Sequence, residues 1–182
     1  MDFNKLQTQI EEELQNAALK PGHPWRSPVL ATLSLMGPQQ RILILRKFSV
    51  RWQLFFYSDY RSNKIAELQK NNSCSLHFYN PESQVQLRLS GKMEVHNRDQ
   101  IAEEILAKIP ENRRSDYQTA LAPGTVLAAD PPSGESWAST NFTVLVFKPQ
   151  SLDYLKLSTE GHLRVSAQNK SGKWSNWNLI QA

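Results

Sequence analysis

A succession of short apolar stretches with few helical segments between them constrains this 182-residue chain more than any other feature. They run over Val29–Met36, Arg41–Phe48, Gln53–Ser58, Ser75–Tyr79, Gln84–Val95, Phe142–Phe147, Leu152–Leu157, His162–Ala167 and Trp174–Ile180, each alternating or rich in β-branched and aromatic residues. So many short strands must hide their edges, and closure of the sheet does that, so the pattern predicts a mainly β (α+β) fold built on a closed or nearly closed barrel. A small barrel has little interior volume, so a ligand has to sit at its mouth, on its outer wall or between two copies. Gly37-Pro38 and Asn169-Lys170-Ser171-Gly172 supply turns.

Helices enter where the period changes. Phe3, Leu6, Ile10, Leu14 and Ala17 recur at spacings of three and four, which predicts an amphipathic helix over residues 2–19, ended by Pro21-Gly22. Ser62 is placed to cap a short helix carrying Ile65, Ala66 and Leu68, and Asn97 with Gln100 suggests a capping box for Asp99–Ile109. A further helical turn over Arg113–Leu121 precedes a Pro/Gly-marked loop from Ala122 to Gly134. No repeat or long linker divides the chain, which reads as one domain over residues 1–182.

The charge is concentrated. Between positions 41 and 70 stand seven Lys or Arg (Arg41, Arg46, Lys47, Arg51, Arg61, Lys64, Lys70) against Asp59 and Glu67, whereas the whole chain carries only +4. Clustered charge of one sign beside a strand end and a helix start attracts an anion. Ser62-Asn63-Lys64 opens that helix, where unpaired N–H groups and the positive end of the macrodipole favour a phosphate. Alone, the triplet reads more readily as an ordinary cap and a solvated lysine; a second cation, Arg41, shifts the balance towards a phosphomonoester.

Two further strands draw notice. Gln84, Gln86 and Arg88 share one face, either the wet side of a strand or, through the amide's donor and acceptor, a reader of a heterocycle edge. His162 and Arg164 also share a face by period two, and could meet an anionic or electron-rich ring. The four histidines lack metal-ligand spacing, so no metal site is expected. Cys74 lies in an apolar-alternating segment and reads as packing, and a single cysteine forms no internal disulfide. The acidic N-terminus has no long apolar run, so neither a secretory leader nor a membrane span is expected, and a cytoplasmic location follows. Five tryptophans raise base stacking, but the charge is modest and local rather than striped, so no nucleic-acid partner is expected.

The order of elements from about Pro24 onward resembles the FMN-binding split-barrel superfamily, and in particular proteins related to pyridoxamine 5'-phosphate oxidase. The resemblance is carried by the RILILR strand, Phe56-Tyr57-Ser58, Ser62-Asn63-Lys64, Gln86-Leu87-Arg88-Leu89-Ser90-Gly91, Tyr154, and His162-Leu163-Arg164 ahead of Trp174. It implies a split β-barrel with a few peripheral helices and FMN as cofactor. Arg41 and Lys64 would hold the FMN phosphate, with Ser62 and Asn63 beside them. The backbone of Ile42, Leu43, Ile44 and Leu45, with Arg46, Tyr57 and Ser58, would line the flavin and its ribityl chain. Gln86 would address the flavin from the next strand, and Tyr154 and Arg164 would come from the partner subunit of a homodimer with sites at the interface. Arg164 and His162 are the catalytic candidates, Arg164 as an electrostatic residue and His162, with Arg46, in contact with a small-molecule substrate.

Several positions depart from the family pattern. Asn63 stands for an arginine, Arg46 for a lysine, Tyr154 for a tryptophan, and Glu160 reverses the charge of a substrate-facing arginine. The tyrosine, arginine and serine that grip the substrate phosphate are not found between Ala102 and Tyr117. The resemblance thus implies an FMN-dependent oxidoreductase whose substrate need not be phosphorylated vitamin B6. The alternative is a non-catalytic module that stores or senses flavin.

Overall fold

The computed structural model describes residues 1–114, 120–127 and 141–182. Its described strands, all paired antiparallel, are β1 (Val29–Ser34), β2 (Gly37–Ile42), β3 (Lys47–Ser49), β4 (Gln53–Asp59), β5 (Ser73–Asn80), β6 (Val85–His96), β7 (Phe142–Lys156), β8 (Leu163–Lys170) and β9 (Lys173–Leu179). The helices are α1 (Phe3–Leu19), α2 (Asn63–Lys70) and α3 (Gln100–Ala107). The sheet runs β2-β1-β5-β6-β7-β4-β3, with β8 and then β9 added beside β7. One edge of β7 pairs with β6 along almost its whole length, while the other is divided: Phe142–Phe147 pairs with β4 and Ser151–Lys156 with β8. That division makes the barrel a split one, as the family resemblance implied; the strand pattern by itself predicted only a closed or nearly closed barrel.

Alternation decides which side chains fill the interior. Leu54, Phe56, Leu76, Phe78, Leu87, Leu89, Phe147 and Val165 are buried in one cluster. The first half of β7 is buried on both faces, because Val144 and Val146 pack under Ala102, Ile105 and Leu106 of α3. Helix α1 starts at Asp2, whose carboxylate accepts from Lys5 N, and lays Leu6, Ile10 and Leu14 onto the same cluster. Arg26 Nη1 donates to the Ala17 and Ala18 carbonyls, Trp52 Nε1 donates to Glu11 Oε1 (2.7 Å), and Phe3 stacks on Trp177, so α1 is fastened to its own barrel. Trp25 and Trp52 are core residues. Burial pushes the Cys74 thiol up to about 12, the behaviour of a packing residue.

The structure revises several expected boundaries. Arg41–Phe48 is not one strand: β2 ends at Ile42, and the chain from 43 to 46 turns its hydrogen bonds to other segments, Leu43 N to Pro28 O, Leu45 N to Arg26 O and Arg46 N to Phe55 O. The two strands expected over 142–157 are a single strand, in which Pro149, with no N–H to give, sits where the register with β6 shifts. Strand β8 begins at Leu163, leaving His162 in the preceding turn. Asp99 rather than Asn97 caps α3, accepting from Ala102 N at 2.9 Å, while Asn97 Nδ2 donates to Phe142 O. The Arg113–Leu121 helical turn and the loop to Gly134 fall largely outside the described residues, as does Trp137. Among the described residues no helix is long and apolar enough to cross a membrane, and no three His, Cys, Asp or Glu gather to hold a metal ion.

The register shift depends on Gly91. A Cβ there would lie 2.2 Å from the Lys148 carbonyl oxygen and 2.8 Å from Pro149 Cα, both backbone atoms that cannot swing aside. Gly91→Ala should therefore destabilise the protein by about 3 kcal/mol through overpacking, read as a lower urea midpoint; an unchanged midpoint would mean that β7 can retreat from β6 at no cost.

Candidate functional site

A groove of about 680 Å³ opens on the barrel wall where the 42–46 segment, the end of β4 and the start of α2 meet. Arg41, Ile42, Leu43, Ile44, Arg46, Tyr57, Ser58, Ser62, Asn63 and Lys64 all line it, joined by Asp59 and by Pro123 and Gly124 from a distant loop. Ligand pockets commonly span roughly 300–1,000 Å³. Leu45, the remaining member of the expected set in this stretch, is fully buried and faces the core instead. The departure of 43–46 from the ladder explains the division: Leu43 and Leu45 turn inward as anchors, and Ile42 is left exposed at the groove.

Lys64 is the centre of the polar end. Its Nζ donates to Ser58 Oγ (3.1 Å) and Ser62 Oγ (3.0 Å), two buried hydroxyls, and it forms no ion pair among the described residues. Ser62 occupies the position before α2 but its hydroxyl does not cap the helix; it donates to Asp59 O at 2.7 Å. The first-turn N–H groups of α2 thus keep the positive end of the helix for an external anion. Burial, reinforced by the nearby Arg41 charge, lowers the Lys64 pKa from its ordinary value, with Asp59 and Glu67 partly opposing. An ammonium held in this state gains from a bound anion.

Arg41 is held rather than loose. Its Nη2 meets Glu67 Oε2 at 2.8 Å, its Nη1 donates to Thr32 Oγ1, and the threonine donates in turn to Glu67. The network ties β1 and β2 to α2 and fixes the guanidinium at the groove wall. Asp59 is taken by Arg61 through two guanidinium hydrogen bonds (2.6 and 3.0 Å) and one from its backbone N (2.8 Å), so its charge is answered before it can repel an anion in the groove. The Arg46 guanidinium lies over the Tyr57 ring at 5.6 Å, and Tyr57 packs edge-on against Phe142. This combination of a cationic, hydroxyl-lined end and an aliphatic and aromatic wall fits a phosphomonoester attached to a flat ring system.

The other expected residues lie elsewhere in the chain. Gln86 stands on β6 opposite Tyr79 and Leu155. Tyr154 is buried near α1, where burial and then Glu13 raise its pKa. Arg164 Nη2 and Arg88 Nη2 both hold Asp153 Oδ2, at 2.9 and 2.5 Å. His162 is exposed and its Nδ1 accepts from Ser158 N. None of these four lines the groove of its own chain. Sequence reasoning missed the partners Thr32, Glu67 and Asp59 as site residues; Glu67, one turn into the expected helix, was the one with a local signal.

Over residues 4–97 the sequence matches the family described as pyridoxamine 5'-phosphate oxidase, FMN-binding domain. No curated protein matches it. Among solved structures, the fold is similar to a pyridoxamine 5'-phosphate oxidase-related, FMN-binding protein from Nostoc punctiforme PCC 73102, at 24% identity over 100% of both chains with a TM-score of 0.76. It is similar also to PhzG from Burkholderia lata 383, solved with tetrahydrophenazine-1-carboxylic acid, at 15% identity over 100% of this chain and 93% of that one, TM-score 0.71. A protein related to general stress protein 26 from Clostridium acetobutylicum aligns at 18% identity over 90% and 95% of the two chains, TM-score 0.59. These likenesses are likenesses of fold.

Charge on Lys64 is disfavoured by burial, so between its lowered folded pKa and the ordinary lysine value the unfolded chain binds more protons and stability rises with pH. Lys64→Met should flatten that rise in a pH series of thermal melts without ligand; an identical slope in the variant would show that Lys64 is not the group responsible.

Proposed function

Because the chain belongs to the pyridoxamine 5'-phosphate oxidase FMN-binding domain family, we propose that it binds FMN in the groove between 42–46 and α2 and serves as an FMN-dependent oxidoreductase for a small molecule. The observation that carries the reading is Lys64, an ammonium paired only with two buried hydroxyls at a helix start. The bound flavin would supply two-electron redox chemistry, and the protein its position and electrostatics.

Lys64 would donate to the phosphate, and the Ser58 and Ser62 hydroxyls, released as acceptors, would turn to donate as well. Arg41, braced by Glu67, adds a fixed charge at small entropic cost. Asn63, at the first position of α2, offers its backbone N–H. Ile42 and Ile44 present an apolar wall and exclude water from one side. Arg46, steadied on Tyr57, faces the same groove and is the residue of this chain placed to meet a substrate.

Gln86, Tyr154, His162 and Arg164 stand away from the groove of their own chain, which supports a homodimer in which each copy completes the site of the other. In that arrangement Arg164, oriented by Asp153, would stabilise negative charge on the reduced flavin, and His162 would contact substrate. Glu160 disfavours an anionic substrate at this position, which supports a substrate other than phosphorylated vitamin B6.

The reading is tested by comparing FMN with riboflavin, which lacks the phosphate. Charge-assisted hydrogen bonds contribute about 1.5–3 kcal/mol each, so riboflavin should bind at least about 100-fold more weakly than FMN, and Lys64→Met should weaken FMN about 10- to 100-fold. Equal affinities, or a protein that takes up no FMN, would sink the proposal.

The catalytic part is separable. Arg164→Leu should leave FMN affinity within about threefold of wild type, since the phosphate end is untouched, and slow flavin reduction at least about tenfold, a loss of roughly 1.4 kcal/mol of charge stabilisation. Stopped-flow reduction as fast as wild type would remove Arg164 from the mechanism and favour a flavin-binding module without catalysis.

A further inference from the structure

A second groove, of about 670 Å³, shares no residue with the first. It lies where the β3–β4 turn, the β8–β9 turn and the kinked middle of β7 come together, with Gly172 packed so closely on Arg51 that a Cβ would stand 3.3 Å from the Arg51 carbonyl oxygen. Four cationic side chains line it, Arg51, Lys92, Lys148 and Lys170, against the single carboxylate of Glu94. Glu94 is already engaged by Lys148 at 2.5 Å; the other three cations form no ion pair among the described residues. Lys92 stands directly opposite Lys148 across the β6–β7 ladder, a like-charge pairing that destabilises a sheet unless an opposite charge lies between.

A second observation of a different kind points the same way. Asn169, which lines this groove, is nine-tenths buried. Its Oδ1 accepts from Gly172 N at 2.9 Å, which assigns the amide orientation. Its Nδ2 is then a buried donor with no hydrogen-bond partner among the described residues. Buried donors without acceptors are costly, and the missing group is an acceptor. Unanswered positive charge and an unanswered donor ask for the same ligand chemistry.

We infer that the groove between the β3–β4 and β8–β9 turns is a binding site for a diphosphate group, either free pyrophosphate or the diphosphate end of a nucleotide. The charge excess suits a ligand carrying more than one negative charge, and the cations arrive from the β3–β4 turn, β6, β7 and the end of β8, so that more than one phosphate can be answered. Trp52 is fully buried beneath the groove and offers no stacking face, so recognition rests on the phosphates rather than on a base.

The inference is independent of the flavin reading, and calorimetry on the full-length protein in excess FMN tests it. Inorganic pyrophosphate should bind at one site per chain. Lys92→Gln combined with Lys170→Gln, both exposed positions that leave the core untouched, should weaken it at least about tenfold. Asn169→Asp keeps the acceptor for Gly172 N and replaces the orphan donor by a negative charge, and should weaken it at least as much; Lys64→Met should leave it unchanged. Comparable binding of ADP assigns the site to nucleotides, and binding of pyrophosphate without ADP assigns it to the free anion. Absence of binding, equal binding of sulfate at matched ionic strength, or a loss confined to Lys64→Met would overturn the inference.

Discussion

The division of one edge of β7 between β4 and β8 is the constraint from which the rest of the architecture follows. A strand of 15 residues can serve two neighbours only if its middle bends, and the bend needs a close approach of backbones. Gly91 permits that approach, and Pro149 removes an N–H that would otherwise be stranded at the shift. The first half of β7 must then be covered on both faces, which α3 does from outside, and β4 is carried to the place where its last residues, Tyr57 to Asp59, meet the start of α2. The cationic groove is a consequence of strand division as much as of charged residues.

Within that groove the charges are distributed unequally. Arg41 and Arg61 have carboxylate partners, Glu67 and Asp59, and these pairs fix geometry while each carboxylate offsets part of its arginine's charge. Among the described residues Lys64 has only hydroxyls as partners, and its ammonium is held partly out of water at the positive end of a helix. Such an arrangement costs stability in the free protein and returns it when an anion binds, the usual relation between a binding site and the fold that carries it. The same reasoning separates the two grooves from the rest of the surface, where an exposed ion pair contributes little.

What could be read from the residues follows the range of the interactions involved. Strands β4 and β5 alternate with one face in the core, so period two announces them; the first half of β7 is buried on both faces, so Phe142–Phe147 shows no alternation and its continuity past Pro149 was invisible. Lys64, Ser62 and Ser58 lie within seven residues of one another in a helix-start context, and local chemistry makes them legible as an anion site. The partners of Arg41 are not local: Thr32 is 9 residues away and Glu67 is 26, and only the packing of α2 on β1 and β2 brings them together. Asn97 failed as a cap because its amide is drawn to Phe142 O, 45 residues away, leaving Asp99 to take the helix N–H. Family resemblance alone, and neither period nor spacing, made Gln86, Tyr154 and Arg164 expected site residues, and all three stand away from the groove of their own chain.

Asp153 shows how one carboxylate orders two arginines on the outer face of the sheet. Burial alone would push this carboxyl up, but hydrogen bonds from Arg164 and Arg88 outweigh it and hold the group below the ordinary aspartate value. The carboxylate therefore stays charged well into acid, and its contribution to stability is lost only as pH falls through that lowered value. A surface pair alone would not justify this much order, since exposed ion pairs contribute little. Two arginines converging on one carboxylate, however, lose their freedom before any ligand arrives, so that an incoming negative charge would meet guanidinium groups already in place. Preorganisation of that kind separates holding a charge from orienting one: among the described residues Lys64 is answered by hydroxyls alone, whereas Asp153 fixes the direction of Arg164.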